Sequence, residues 1–295
     1  MFAAEAGPAD PLLFGAYTPP APEVGMEKAL ELERQLNRRL DIVSWYQHWG
    51  GWGVDFNSAW VIAAAADGRV PMITWEPWTP GLADQPAYRL ARIASGAFDP
   101  YILTWAISLK NYGRPVYLRP MHEMNGNWYP WGGTVNGNSA ADYVAAWRHM
   151  HGIFSAAGAT NVRWVWSPLA ENTPNVPENA FERYYPGTRY VDVLALDGYN
   201  WGADAAEYGG WRSFDKIFAG AYARISRLGS QPVWIAEVGS GPTGGDKAAW
   251  VRDMFGSAAH YPRLSALIWF NQWKERDWRA TSSPAVAAAF AAPAA

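Results

Sequence analysis

Eight apolar runs, each closed by turn residues and followed by a stretch of helical spacing, divide the chain between residues 12 and 292. No other feature restricts its fold so tightly. The runs fall at 12–19, 41–49, 70–78, 115–123, 162–168, 191–200, 232–240 and 264–273, and their length and flanking turns read as strands. Helices are predicted at about 23–39, 57–68, 98–111, 139–157, 177–185, 211–228, 245–259 and 284–292. In the first, Met26, Leu30, Leu32 and Leu36 share a broad apolar face; Asn57 is a fitting N-cap for the second, with Gly68 and Gly158 as stops. Near-continuous apolar strands separated by helices mean a parallel sheet covered by helices, and eight such units are the number that closes a (β/α)8 TIM barrel. An open doubly wound sheet would need a glycine-rich phosphate loop after an early strand, and no G-x-G-x-x-G stands there. The expectation is one α/β barrel domain, with its site at the carboxyl ends of the strands.

Composition narrows the function. The hydrophobic fraction is 49% and the charged fraction 17%, against roughly 25% in ordinary soluble domains, so much of the chain is buried. Twenty-four basic residues against 27 acidic ones give a net charge of −3, with no basic run to follow a phosphate backbone, and nucleic acid is not an expected partner. The absence of cysteine removes disulfide and thiolate chemistry. No apolar run approaches the roughly 18 residues of a membrane span, so no membrane partner is expected either. Residues 1–11 read as a flexible acidic segment without an intact secretory signal, 12–292 as the catalytic domain and 293–295 as a tail.

If the strands are placed correctly, acidic groups at their carboxyl ends should do chemistry. Glu123 is expected to end strand four and Glu237 strand seven, each delivered by an apolar run to a mouth rich in aromatics. Burial there raises a carboxyl pKa and nearby donors lower it, and two acids in unlike surroundings are what acid/base chemistry needs. The competing role for either is a helix cap or a partner for Arg119. Glu76, Glu171 and Asp197 are further acids after strands three and five and within six, read as ligand-binding or structural. His122, Glu123 and Asp197 are conceivable metal ligands, but the chain has no H-E-x-x-H or H-x-H cluster, and neither metal nor cofactor is expected.

Four segments carry a resemblance. "RPMHEMNGNWYPWGG" (119–133), "VDVLALDGYN" (191–200), "PVWIAEVGS" (232–240) and "LIWFNQWKERDW" (267–278) resemble glycoside hydrolase family 26, over roughly residues 12–290. The resemblance implies a secreted (β/α)8 barrel that hydrolyses a polysaccharide internally with retention, and a monomer is expected. By the same likeness Glu123 is the acid/base, Glu237 the nucleophile and Tyr199 the hydroxyl that orients it; His122 and Trp128 lie near the reacting sugar. Arg119 either lowers a carboxylate's pKa or locks strand four. Retaining glycosidases hold their two carboxyls about 5–5.5 Å apart, which facing strands of one barrel can provide.

Flat indoles suit the apolar faces of sugar rings. Trp131, Trp75, Trp49, Trp201 and Trp269, with Trp45, Trp78 and Trp273, are strand-end or loop candidates for subsites, core packing being the competing role; Asn125 and Glu76 are candidate polar contacts. Pro130 stands where many mannan-cleaving members resembling this chain carry a further tryptophan. That departure favours mixed-linkage β-1,3-1,4-glucan, with endo-β-1,4-mannanase as the alternative. A non-catalytic carbohydrate-binding protein would keep the tryptophans without needing both glutamates.

Overall fold

A computed structural model of the chain describes residues 11–50, 55–82 and 84–291. Of the flexible segment expected at 1–11, only residue 11 is among them, and the tail at 293–295 lies outside the described residues. Eight parallel strands close in sequence order: β1 Leu13–Tyr17, β2 Ile42–His48, β3 Val70–Glu76, β4 Val116–Pro120, β5 Val162–Trp166, β6 Val193–Asn200, β7 Val233–Ser240 and β8 Leu264–Phe270. The barrel is the (β/α)8 TIM barrel that the alternation predicts.

Around it run α1 Glu27–Leu36, α2 Ser58–Ala64, α3 Leu90–Ala94, α4 Asp99–Tyr112, α5 Ala140–Ala157, α6 Phe214–Ile225, α7 Lys247–Ser257 and α8 Pro284–Ala289. Local chemistry sets their ends. Asn57 caps α2 by accepting from the Ala59 N–H at 3.0 Å. Ser139 and Asp142 form a reciprocal capping box at the start of α5, and Gly158, at φ 77°, ends it. Among the described residues no helix is long and apolar enough to cross a membrane.

Two expectations are corrected. The helix predicted at 177–185 is instead a pair of 3₁₀ turns, Pro177–Asn179 and Phe181–Tyr184. Asn179 donates to the carbonyls of Asn125 and Pro174 and accepts from Tyr184 Oη at 2.6 Å, so side-chain bonds hold this segment in place of a helical ladder. The short helix α3 was not expected.

Strand alternation sorts the barrel into two cores. Ile42, Met72, Val165, Val193, Ala195, Trp234, Ala236, Ala266 and Ile268 face the lumen and fill its floor. Residues of the other parity, among them Val43, Trp45, Trp75, Leu118, Leu194 and Trp269, pack outward against the helices. Gly15 is required at the seam, because a Cβ there would lie 2.7 Å from the Cβ of Ile42.

Candidate active site

Above the apolar floor, the same lumenal parity delivers polar residues. Thr74 follows Met72, Ser167 follows Val165, Asp197 follows Ala195, and Tyr46 lies two pairs of residues beyond Ile42. Strand β7 needs a device to join them. Its pairing with β6 steps from Leu196↔Ile235 to Asp197↔Glu237, leaving Ala236 as an extra, bulged residue. Trp234 and Glu237 differ in parity, and the bulge lets both face the lumen. Glu237 therefore lies within β7 rather than at its end.

Arg119 on β4 organises this layer. Its fully buried guanidinium donates to Thr74 Oγ1 at 2.9 Å, Asp197 Oδ1 at 3.0 Å and Glu237 Oε1 at 2.6 Å. Ser167 Oγ adds a bond to Asp197 Oδ1 at 2.8 Å. Two further hydroxyls hold Glu237: Tyr46 Oη donates to Oε1 at 2.5 Å and Tyr199 Oη to Oε2 at 2.8 Å. Burial opposes charge on Glu237, but Arg119 and these donors outweigh it and hold the carboxyl below the usual carboxylate range. The two sequence roles for Arg119 thus coincide. Burial pushes Asp197 upward; Arg119 pulls against that and the Glu237 charge adds to it.

Glu123 reaches the mouth differently. β4 stops at Pro120, and Glu123 lies three residues further on, in a turn where both Met121 (φ 51°) and Glu123 (φ 53°) adopt the left-handed conformation. The turn is bolted on all sides. Met121 N–H donates to Trp75 O, Glu123 N–H to Ser167 O, Tyr143 Oη to Met121 O and Trp131 Nε1 to His122 O, at 2.6–3.1 Å. At its side chain, Glu123 Oε2 accepts from Trp128 Nε1 at 2.9 Å. Burial raises the Glu123 pKa well above the usual carboxyl range, and the charges of Glu237 and Asp197 add to it.

The two glutamates converge. One oxygen of Glu123, one of Glu237 and a ring nitrogen of His122 lie within 4.8 Å of one another. His122 is buried, and burial followed by the Arg119 charge pushes its pKa well below the ordinary value, so the ring 3.9 Å from Glu237 is neutral and forms no ion pair. A cation could use the same three donors. Glu237 Oε1 is, however, already committed to a guanidinium, and a second positive centre would repel it.

Several sequence candidates lie elsewhere. Trp75, Trp131, Trp269, Trp45 and Trp49 are buried in the outer core and offer no ring face to a sugar. Parity explains three of them: Trp45, Trp75 and Trp269 each neighbour a lumenal residue and so point to the helices. Trp131 is covered by Tyr129, ring centroids 4.3 Å apart at 10°. Asn125 is a fully buried brace, bonded to both Leu169 backbone groups and to Asn172, and not a sugar contact. Glu171 pairs with Arg212 at the surface. Trp128, 49% exposed, and Trp273, 66% exposed, keep open faces; Trp78 and Trp201 are half-buried, the latter stacked on Tyr208. Tyr46 is the residue that sequence reading missed, and its signal was its even spacing from Ile42.

Residues 46–239, from the tyrosine on β2 to just past the carboxylate on β7, match the family described as Glycosyl hydrolase family 26. The chain belongs to glycosyl hydrolase family 26. It is 38% identical to Endoglucanase H of Acetivibrio thermocellus, over 95% of this chain and 30% of that protein. It is 39% identical to the mannan endo-1,4-beta-mannosidase A and B of Caldalkalibacillus mannanilyticus, over 31% of this chain and 18% of that one. The chain spans less than a third of the length of the curated relatives it matches. Among solved structures, the catalytic domain of the Bacillus sp. JAMB-750 GH26 endo-beta-1,4-mannanase superposes with a TM-score of 0.68 at 19% identity, covering 91% of this chain and 79% of that one. At that identity the likeness speaks for the shared barrel alone.

Proposed function

We propose that this chain is a retaining endo-β-glycanase in which Glu123 is the acid/base and Glu237 the nucleophile. One observation carries the reading: two carboxyls within 4.8 Å, one held charged and the other pushed well upward. That closeness fits direct attack rather than the roughly 6.5–9.5 Å that an intervening water requires. Trp128 Nε1 occupies Glu123 Oε2, which leaves Oε1 to carry the proton. Glu237 attacks the anomeric carbon while Glu123 gives that proton to the glycosidic oxygen, and the leaving sugar departs as an alcohol. Glu123, now ionised, then takes a proton from water as the water's oxygen displaces Glu237, releasing the sugar and restoring both groups. Tyr46, Tyr199 and Arg119 aim the nucleophile. Neutral His122 lines the floor beside it, and Trp128 offers its open face to a sugar ring.

The polymer we favour is mixed-linkage β-1,3-1,4-glucan. Pro130 supports it, as does likeness along nearly the whole chain to a protein named as an endoglucanase. A second reading, β-1,4-mannan, draws on the mannosidase-named relatives, each alike over about a third of this chain. A product profile on mixed-linkage glucan, β-mannan, cellulose and xylan separates the two, and the anomer first released reports retention. Inversion, or turnover of none of the four, would defeat the proposal. Polymers of this size are met outside cells, so we place the protein there, as a monomer whose catalytic domain is 12–292; sedimentation of the purified chain tests the monomer.

A further inference from the structure

A third carboxyl at the mouth has no part in the double displacement. Glu76 is the last residue of β3, on the lumenal parity of Met72 and Thr74 and one layer above the Thr74 hydroxyl that Arg119 holds. It is 4% exposed. Its Oε2 accepts from Trp78 Nε1 at 3.2 Å, and among the described residues this is the one hydrogen bond of its side chain. Among the described residues no cation forms an ion pair with it: Arg119 is engaged by Asp197 and Glu237, and Lys274 is paired with Glu275 at 3.0 Å. Such a group is costly to bury without a reason in the free protein.

We propose that Glu76 is a specificity-determining residue whose second carboxyl oxygen hydrogen-bonds a hydroxyl of the sugar attacked by Glu237. The proposal deepens the glycanase reading and rests on it. In its protonated form the group donates through that oxygen while Oε2 keeps its bond to Trp78, a pairing that an alcohol, itself donor and acceptor, can complete. Burial raises Glu76 to about 8, with Trp78 opposing and the Glu237 charge adding, so the donor form prevails at neutral pH. The charged or titratable groups around it are Tyr17 on β1, His48 beside it on β2, Arg119 on β4, Tyr129 in the loop after β4, Glu237 on β7 and Lys274 after β8. None of them reaches its carboxyl by a hydrogen bond.

The test uses Glu76→Gln and Glu76→Ala with a glucan or mannan oligosaccharide that the wild type cleaves, measuring kcat and KM from pH 6 to pH 9. Alanine should raise KM by about tenfold, the loss of one hydrogen bond, with kcat on an activated aryl glycoside within about threefold. Glutamine, which keeps a donor and an acceptor, should hold KM near the wild-type value at pH 6.5. Its KM should stay flat to pH 9, where that of the wild type rises about tenfold. Binding of the same oligosaccharide to Glu123→Gln, with and without Glu76→Ala, gives a readout free of turnover and shows that the variants fold. Unchanged KM and binding in Glu76→Ala, or a loss confined to kcat, would overturn the proposal while wild-type hydrolysis left the glycanase reading standing. A wild type inert on every β-glycan would defeat that reading instead.

Discussion

Glu237 stands on a buried strand and accepts hydrogen bonds from three side chains, whereas Glu123 sits on a left-handed turn and accepts one, from Trp128. Both are buried, so desolvation pushes both pKa values upward to begin with. Neighbours decide the outcome. Arg119 touches Glu237 directly, and the charge it stabilises there then acts on Glu123 as a like charge that keeps the proton in place. The contrast between the seats is thus produced largely by one guanidinium, and each carboxyl's state depends on the other's.

The contrast can be broken most severely at Glu237. Glu237→Ala should lower kcat by about 10⁴-fold or more while oligosaccharide binding persists, as calorimetry would show; activity near wild type would remove the nucleophile from the scheme. Glu123→Ala should cost about 10²–10⁴-fold on natural glycans and far less on aryl glycosides whose leaving groups need no proton. Equal losses on both substrate types would put the proton donor elsewhere.

Smaller changes sharpen the comparison without abolishing it. Tyr46→Phe and Tyr199→Phe each remove a donor to a charged acceptor, a bond of roughly 1.5–3 kcal/mol. The Glu237 pKa then rises, so the acid limb of the kcat/KM profile should move up by about one pH unit or more. An unmoved limb would mean that Arg119 alone sets the charge. The smallest effect is on stability. The folded pKa of Glu123 lies above its unfolded value, so above about pH 4.5 the unfolded chain binds fewer protons at this group and stability falls as pH rises. Glu123→Gln removes that term, and its Tm advantage over the wild type should widen with pH in thermal melts; a constant gap would contradict the assigned direction.

The barrel was legible because eight apolar runs leave few other topologies, and the gathering of Glu123, Glu237, His122, Tyr199 and Arg119 at one mouth was legible from the strand order and the family resemblance. What escaped turned on parity. In "SWYQH", Trp45 and Tyr46 differ by one position, yet one ring packs against helices and the other grips a carboxylate. Composition drew attention to the indole; the pleat gave the work to the phenol. The bulge at Ala236 hides Glu237 from the same rule, since unbroken alternation from Trp234 would aim it outward. At 177–185 the spacing suited a helix, and the amide of Asn179 prevailed through bonds to chain segments that no local pattern reveals.

Met121 and Glu123 both occupy a backbone region that side-chain-bearing residues enter at roughly 1–2 kcal/mol each. At the acid, glycine would rest there without that penalty. Glu123→Gly should therefore relax the turn and at the same time delete the proposed proton donor, so that a screen rewarding heat resistance alone would drift toward a sturdier, inert barrel. In this fold, durability and turnover pull against each other at a single residue.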